Sequence, residues 1–150
     1  MEFDPSTLET MSPEEFAQTV KGMSDREIAD TMSGEYRSAI LDAIFDRFPT
    51  LFRPDRAAGV SATTQFRITG GPEGNPHDTY EIVIDDGACH VSEQPGDTYD
   101  VSLMMAPADF FKMTTGRGTP TMMVMRGKIK VKGDLAFAAK FPSMFDIPKA

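Results

Sequence analysis

The sequence predicts an α+β fold, with one five-stranded sheet covered on one face by helices from both ends of the chain. Three observations carry that expectation. Short runs with apolar positions two residues apart recur between Ala62 and Lys132, separated by Gly, Pro and Asp clusters. The first fifty residues instead hold two helix-capping signatures and an apolar stripe with a four-residue period. A last apolar helical run follows Asp134, so cover for the sheet is available from either terminus.

Taken in order, Ser12-Pro13-Glu14-Glu15 is a capping box with proline at the first helical position. Ser24-Asp25-Arg26-Glu27 repeats the box and opens a short helix that Gly34 ends. From Glu35 onward Tyr36, Ile40, Ile44 and Phe48 recur every four residues, with Leu41 and Phe45 beside them. Arg37, Ser38, Asp42 and Asp46 take the other, solvent side, and Pro49 stops or kinks the helix. Its wide apolar face needs something flat to cover.

The strands supply it. Ala62, Thr64, Phe66 and Ile68 alternate with Thr63, Gln65 and Arg67 in the first. A Gly/Pro cluster from Gly70 to Pro76 leads to the second, where Tyr80, Ile82 and Ile84 alternate with Glu81, Val83 and Asp85. Asp85-Asp86-Gly87 is a hairpin signal into a third strand, Ala88 to Glu93. Gln94 to Asp97 turns again, and Val101, Leu103 and Met105 mark the fourth. Pro107 suits the first turn of a helix through Phe110, Phe111 and Met113, ended by Gly116. Thr119-Pro120 opens a short methionine helix, and Lys128 to Lys132 forms the fifth strand, lysines to water, Ile129 and Val131 to the core. Gly133-Asp134 ends that strand and caps a helix from Leu135 to Phe141. Pro142 interrupts it, leaving Met144 and Phe145 on a less regular tail with few backbone bonds, a candidate door to a cavity.

At 150 residues the chain suits one domain with one sizeable core. A net charge of −8 argues against nucleic acid as a partner. One cysteine excludes an internal disulfide and a cysteine-rich metal site, which favours a reducing cytoplasm. The acidic start lacks the apolar core of a secretory signal, and no run reaches the ~18 to 20 apolar residues of a membrane span. Eleven methionines and eleven phenylalanines coexist without tryptophan. Methionines crowd the second half, at 104, 105, 113, 122, 123, 125 and 144. Such adaptable side chains fill irregular gaps or line a cavity that takes variable apolar ligands.

The order Asp100-Val-Ser-Leu-Met-Met, then Asp109-Phe110-Phe111 with Met113 and Gly116, then Arg126-Gly127-Lys128-Ile129-Lys130-Val131-Lys132-Gly133-Asp134 with Ala138, resembles the sterol carrier protein 2 family. The likeness runs from about Val60 to Phe145. It implies a mixed five-stranded sheet under helices, with a lipid-sized apolar tunnel between the layers. It also implies binding and transfer of sterols, fatty acids or fatty acyl thioesters without covalent chemistry and without a cofactor. Residues 1–59 are then a helical segment packing on the same domain, and 60–150 the lipid-binding domain. The chain ends Ile147-Pro148-Lys149-Ala150, without the peroxisomal tripeptide of some relatives.

The inward-facing apolar residues are the expected lining. From the sheet these are Phe66, Ile82, Ile84, Val91, Leu103, Met105 and Ile129. From the helices and tail they are Phe110, Met113, Met122, Met123, Phe137, Phe141 and Phe145. Arg126, Lys128, Lys130 and Lys132 make one basic stripe on an acidic chain. It is either a solvated face kept from aggregating by lysine or a dock for an anionic membrane or acidic partner. A homodimer is a further partner expectation.

Candidates for covalent chemistry are weak. Cys89 and His90 are neighbours in a strand, so their side chains point to opposite faces. His77 sits in a turn cluster, and two histidines make a zinc site improbable. Gly116-Arg117-Gly118 follows a helix, the wrong context for a phosphate loop, and Asp85-Asp86 reads better as a turn than as paired carboxylates. Two other readings stay open: an acyl-thioester-processing enzyme using the same cavity, and an accessory domain with a vestigial cavity that binds a partner.

Overall fold

In a computed structural model the described residues are 11–34, 37–70, 77–92, 96, 98–115 and 120–146. Glu35 and Tyr36, the turn from Gly71 to Pro76, Glu93, Gln94, Pro95 and Asp97, the Gly116–Thr119 stop and the final tetrapeptide lie outside them.

Both capping boxes form. Helix α1, Pro13–Lys21, starts where the Ser12 hydroxyl accepts from Glu15 N at 3.1 Å and Glu15 accepts from Ser12 N at 3.3 Å. Helix α2, Asp25–Met32, repeats this between Ser24 and Glu27. Helix α3 is Arg37–Asp46, and Pro49 acts as expected. The long helix breaks at Arg47 and a four-residue helix α4, Phe48–Leu51, follows.

The sheet has the order β3-β2-β1-β4-β5, with β1 Ala62–Thr69, β2 His77–Asp85, β3 Ala88–Ser92, β4 Val101–Met105 and β5 Ile129–Gly133. β1 pairs parallel with β4 and antiparallel with β2, so the sheet is mixed. Register puts Phe66 beside Tyr80 and Leu103, Ile82 beside Val91, and Met105 beside Ile129, all on one face. That face carries the core; residues one position over face the other way. Helices α5, Pro107–Thr114, α6, Pro120–Met125, and α7, Leu135–Lys140, complete the set. Gly133 closes the β4–β5 edge at φ +100, where a Cβ would overlap the Asp100 carbonyl oxygen.

Two expectations are corrected. Arg37 does not face solvent: it is 3% exposed, with Nε donating to Asp78 at 2.6 Å and the other nitrogens to the Met32 and Ile68 carbonyls. The guanidinium fork satisfies the last carbonyl of α2 and one near the end of β1 together, which no helix-face count registers. Nor is the tail after Pro142 loose. It winds through a 3-10 turn, Phe141–Met144, and bridges Phe145 to Phe52. Arg53 N donates to Met144 O and Asp146 N to Leu51 O, both at 2.8 Å. Burial of Phe145 against Phe48, ring centroids 5.2 Å apart, holds it there.

Candidate functional site

The core face of the sheet is covered in two ways. Over β1 and β2 lies an aromatic cluster seeded by α3. Phe45 stacks on Tyr80 at 4.1 Å and on Phe110 at 5.0 Å, and meets Phe66 edge-on at 5.6 Å. Phe141 joins through Phe66 at 5.5 Å and Phe145 at 4.9 Å. Over β4 and β5 the cover is α6 and α7, and the side chains they turn to the groove are aliphatic, with no aromatic ring among them. Ala138, Ala139, Val124, Met125 and Leu135 face Leu103 and Ile129 across a groove of about 130 Å³. Helix α7 reads Leu-Ala-Phe-Ala-Ala-Lys, and its alanines leave the volume that phenylalanines fill elsewhere. The Asp134 carboxylate caps it by accepting from Phe137 N at 3.0 Å.

The expected lining divides accordingly. Leu103 and Ile129 lie in the groove wall. Phe66, Phe110, Phe141 and Phe145 form the aromatic cluster, while Ile82, Ile84, Met105, Met113 and Met123 are buried elsewhere in the core. Val91 and Phe137 are half-buried against it, and Met122 is 45% exposed. Val124, Met125, Leu135, Ala138 and Ala139 were missed as lining; the run of alanines in α7 was the available signal, since small residues on a helix packed against the sheet leave space. A tunnel of the expected kind is not shown by the described residues.

The groove wall contains no titratable side chain, so it offers contact and desolvation rather than proton transfer. Cys89 lies elsewhere, on the core face opposite Ile84, and burial pushes its thiol up to about 11. Thiolate is therefore scarce at neutral pH. His90 is exposed on the opposite face. Among the described residues no cluster of His, Cys, Asp and Glu could hold a metal ion, and no helix is long and apolar enough to cross a membrane. Arg126, Lys128, Lys130 and Lys132 are exposed on or beside the edge strand β5.

This architecture has known counterparts. The family model described as "SCP-2 sterol transfer family" matches residues 41–146, and the chain belongs to that family. The match begins inside α3 and takes in the whole sheet and the groove. Sterol carrier protein 2 of Arabidopsis thaliana is 28% identical over 111 residues, covering 73% of this chain and 90% of that protein. Hydroxysteroid dehydrogenase-like protein 2 of Xenopus tropicalis is 33% identical over 104 residues, covering 69% of this chain. The chain spans only 24% of the length of that relative. Among solved structures, palmitated SCP2L2 from Aedes aegypti superposes with a TM-score of 0.52 at 18% identity, covering 69% of this chain and 88% of its own. At that identity the superposition speaks to fold.

Proposed function

We propose that the protein binds and transfers lipid without covalent chemistry, holding an acyl chain or sterol against the β4–β5 end of the sheet. The observation that carries this is the groove: seven apolar residues, none titratable, on the core face of the sheet. Family membership and the palmitated relative support the same class of ligand. A volume of about 130 Å³ is that of a cavity that takes a single small ring, so a long chain requires α6 and α7 to part from β5. Burial of a sixteen-carbon chain, at ~0.8 kcal/mol per methylene, is on the order of 12 kcal/mol gross, against which the costs of opening and ordering are set.

On this reading the partners are a small-molecule lipid and, transiently, an anionic membrane; self-association into a homodimer is a separate proposal. The two-unit reading, residues 1–59 as an added helical segment and 60–150 as the lipid-binding unit, is proposed with it. A reducing cytoplasm is the compartment favoured by a single, partly buried thiol. A displacement titration of delipidated protein with saturated fatty acids of increasing length tests the function. Affinity that rises with each added methylene is expected; equal, weak displacement by short and long chains contradicts it.

A second reading makes the fold a lipid-presenting module of a larger enzyme. The observation favouring it is that the chain spans about a quarter of Hydroxysteroid dehydrogenase-like protein 2. Thioesterase assays with acyl thioesters separate it from an enzyme acting through this chain's own residues. No turnover is expected, and turnover lost in Cys89→Ala or His90→Gln favours the enzyme.

A further inference from the structure

Among the described residues three large apolar side chains are exposed: Met122 at 45%, Met125 at 76% and Leu135 at 56%. All three lie at the β5 edge of the molecule, on α6 and at the first position of α7. Met125 and Leu135 also form the rim of the groove. Between Met122 and Lys140 the chain carries five basic residues, Arg126, Lys128, Lys130, Lys132 and Lys140, and one acidic residue, Asp134. That stretch has a net charge of +4 on a chain of −8, so the remainder stands at −12. None of the five cations is in an ion pair among the described residues.

Lysine on an edge strand needs no partner to explain it, because it blocks strand-to-strand aggregation. That explanation leaves the exposed methionines and Leu135 unaccounted for. An acidic protein surface would satisfy the charge and not the apolar rim. Both features together, unneutralised cations along β5 and exposed unbranched and γ-branched apolar side chains on the flanking α6 and α7, match the interface of an anionic bilayer. The concentration of +4 at one edge of a strongly acidic molecule also orients it, since the rest is repelled by the same surface.

We propose that the β5 edge is the membrane-docking and loading face of the protein. Arg126, Lys128, Lys130 and Lys132 meet anionic headgroups, Met125 and Leu135 insert at the acyl boundary, and lipid passes into the groove through the gap between them without crossing water. The passage of lipid rests on the lipid-binding reading above, whereas the docking surface stands apart from it.

The test is co-sedimentation of the whole protein with vesicles of phosphatidylcholine alone, or of phosphatidylcholine and phosphatidylserine in equal parts. Binding is expected to the anionic vesicles and to weaken as salt shortens the Debye length from about 10 Å at 0.1 M to about 3 Å at 1 M. Replacing Lys128, Lys130 and Lys132 together with Gln should weaken it on the order of 100-fold, each basic residue near such a surface contributing about fivefold. Met125→Gln with Leu135→Gln should weaken it by about tenfold, a loss of apolar burial. All five positions are exposed, and circular dichroism melting verifies that each variant is folded. Equal binding to neutral and anionic vesicles overturns the proposal. So does binding that depends on the lysines but ignores Met125→Gln with Leu135→Gln and is displaced by polyglutamate, which identifies an acidic polypeptide as the partner. A titration of the lysine variant with a fluorescent fatty acid in vesicle-free buffer keeps the two readings apart. Unchanged fatty-acid affinity with lost vesicle binding supports the docking face. Vesicle binding by a wild-type protein that takes no fatty acid ends the lipid-binding reading and leaves the docking surface standing.

Discussion

The β1–β2 half and the β4–β5 half of the same sheet face are packed by opposite means. Over the first, Phe45, Phe66, Tyr80 and Phe110 interlock with ring centroids between 4.1 and 6.1 Å, all at most 6% exposed. Over the second, two alanines, a valine, a leucine and a methionine meet Leu103 and Ile129 across open volume. Aromatic packing buys order and is costly to disturb; alanine and methionine leave space and adapt to whatever enters it. The fold therefore separates its foundation from its variable surface. Residues that look equally apolar in sequence fall on different sides of that division.

The sharpest way to break the comparison is at Phe45. Phe45→Ala should cost about 3 to 5 kcal/mol, read as a fall in thermal midpoint, because four rings lose their common neighbour. Next in size is Arg37→Ala, at about 3 kcal/mol, since Asp78 and two carbonyls lose a buried donor. In the groove the balance reverses. Ala139 is exposed at the rim, so Ala139→Phe should fit with a stability change under about 1 kcal/mol. It should also weaken long-chain fatty acid binding by tenfold or more, by filling volume the chain needs. An Ala139→Phe protein that unfolds early and binds normally would erase the distinction between the two halves.

Smaller effects mark the periphery. Ser12→Ala removes one half of a capping box and should cost about 1 kcal/mol in denaturant unfolding. Smallest is the thiol. With its folded pKa raised from 9.0 to about 11, Cys89 stays protonated, a contribution to stability complete below pH 9 and lost as pH rises towards 11. Alkylation by iodoacetamide should be slow at pH 7 and accelerate only in the alkaline range. Rapid labelling at neutral pH would show that the β3 edge is open.

Much of this was legible because local chemistry is periodic. Two capping boxes, the alternation in β1 and β2, and the Asp-Asp-Gly hairpin were each read from a handful of residues, and each forms. Arg37 was misplaced because its role depends on Asp78, forty-one positions away, and on carbonyls that become neighbours only in the folded chain. The tail was misread because Pro142 removes a helical bond but says nothing of the bridge from Phe145 to Phe52. The lining was only partly legible for a related reason. Apolar character identifies burial, while a groove exists where neighbouring residues are too small to meet, as Ala138 and Ala139 are.

The central claim is that ligand occupies the β4–β5 half and leaves the aromatic half undisturbed. Amide hydrogen exchange with and without bound palmitate tests it directly, since local opening sets the exchange rate at each backbone N–H. The expected result is slower exchange across α6, β5 and α7, Met122 to Lys140, with α3 and β2 unchanged. Protection confined to α3 and β2, or none in α6 and α7, would contradict it.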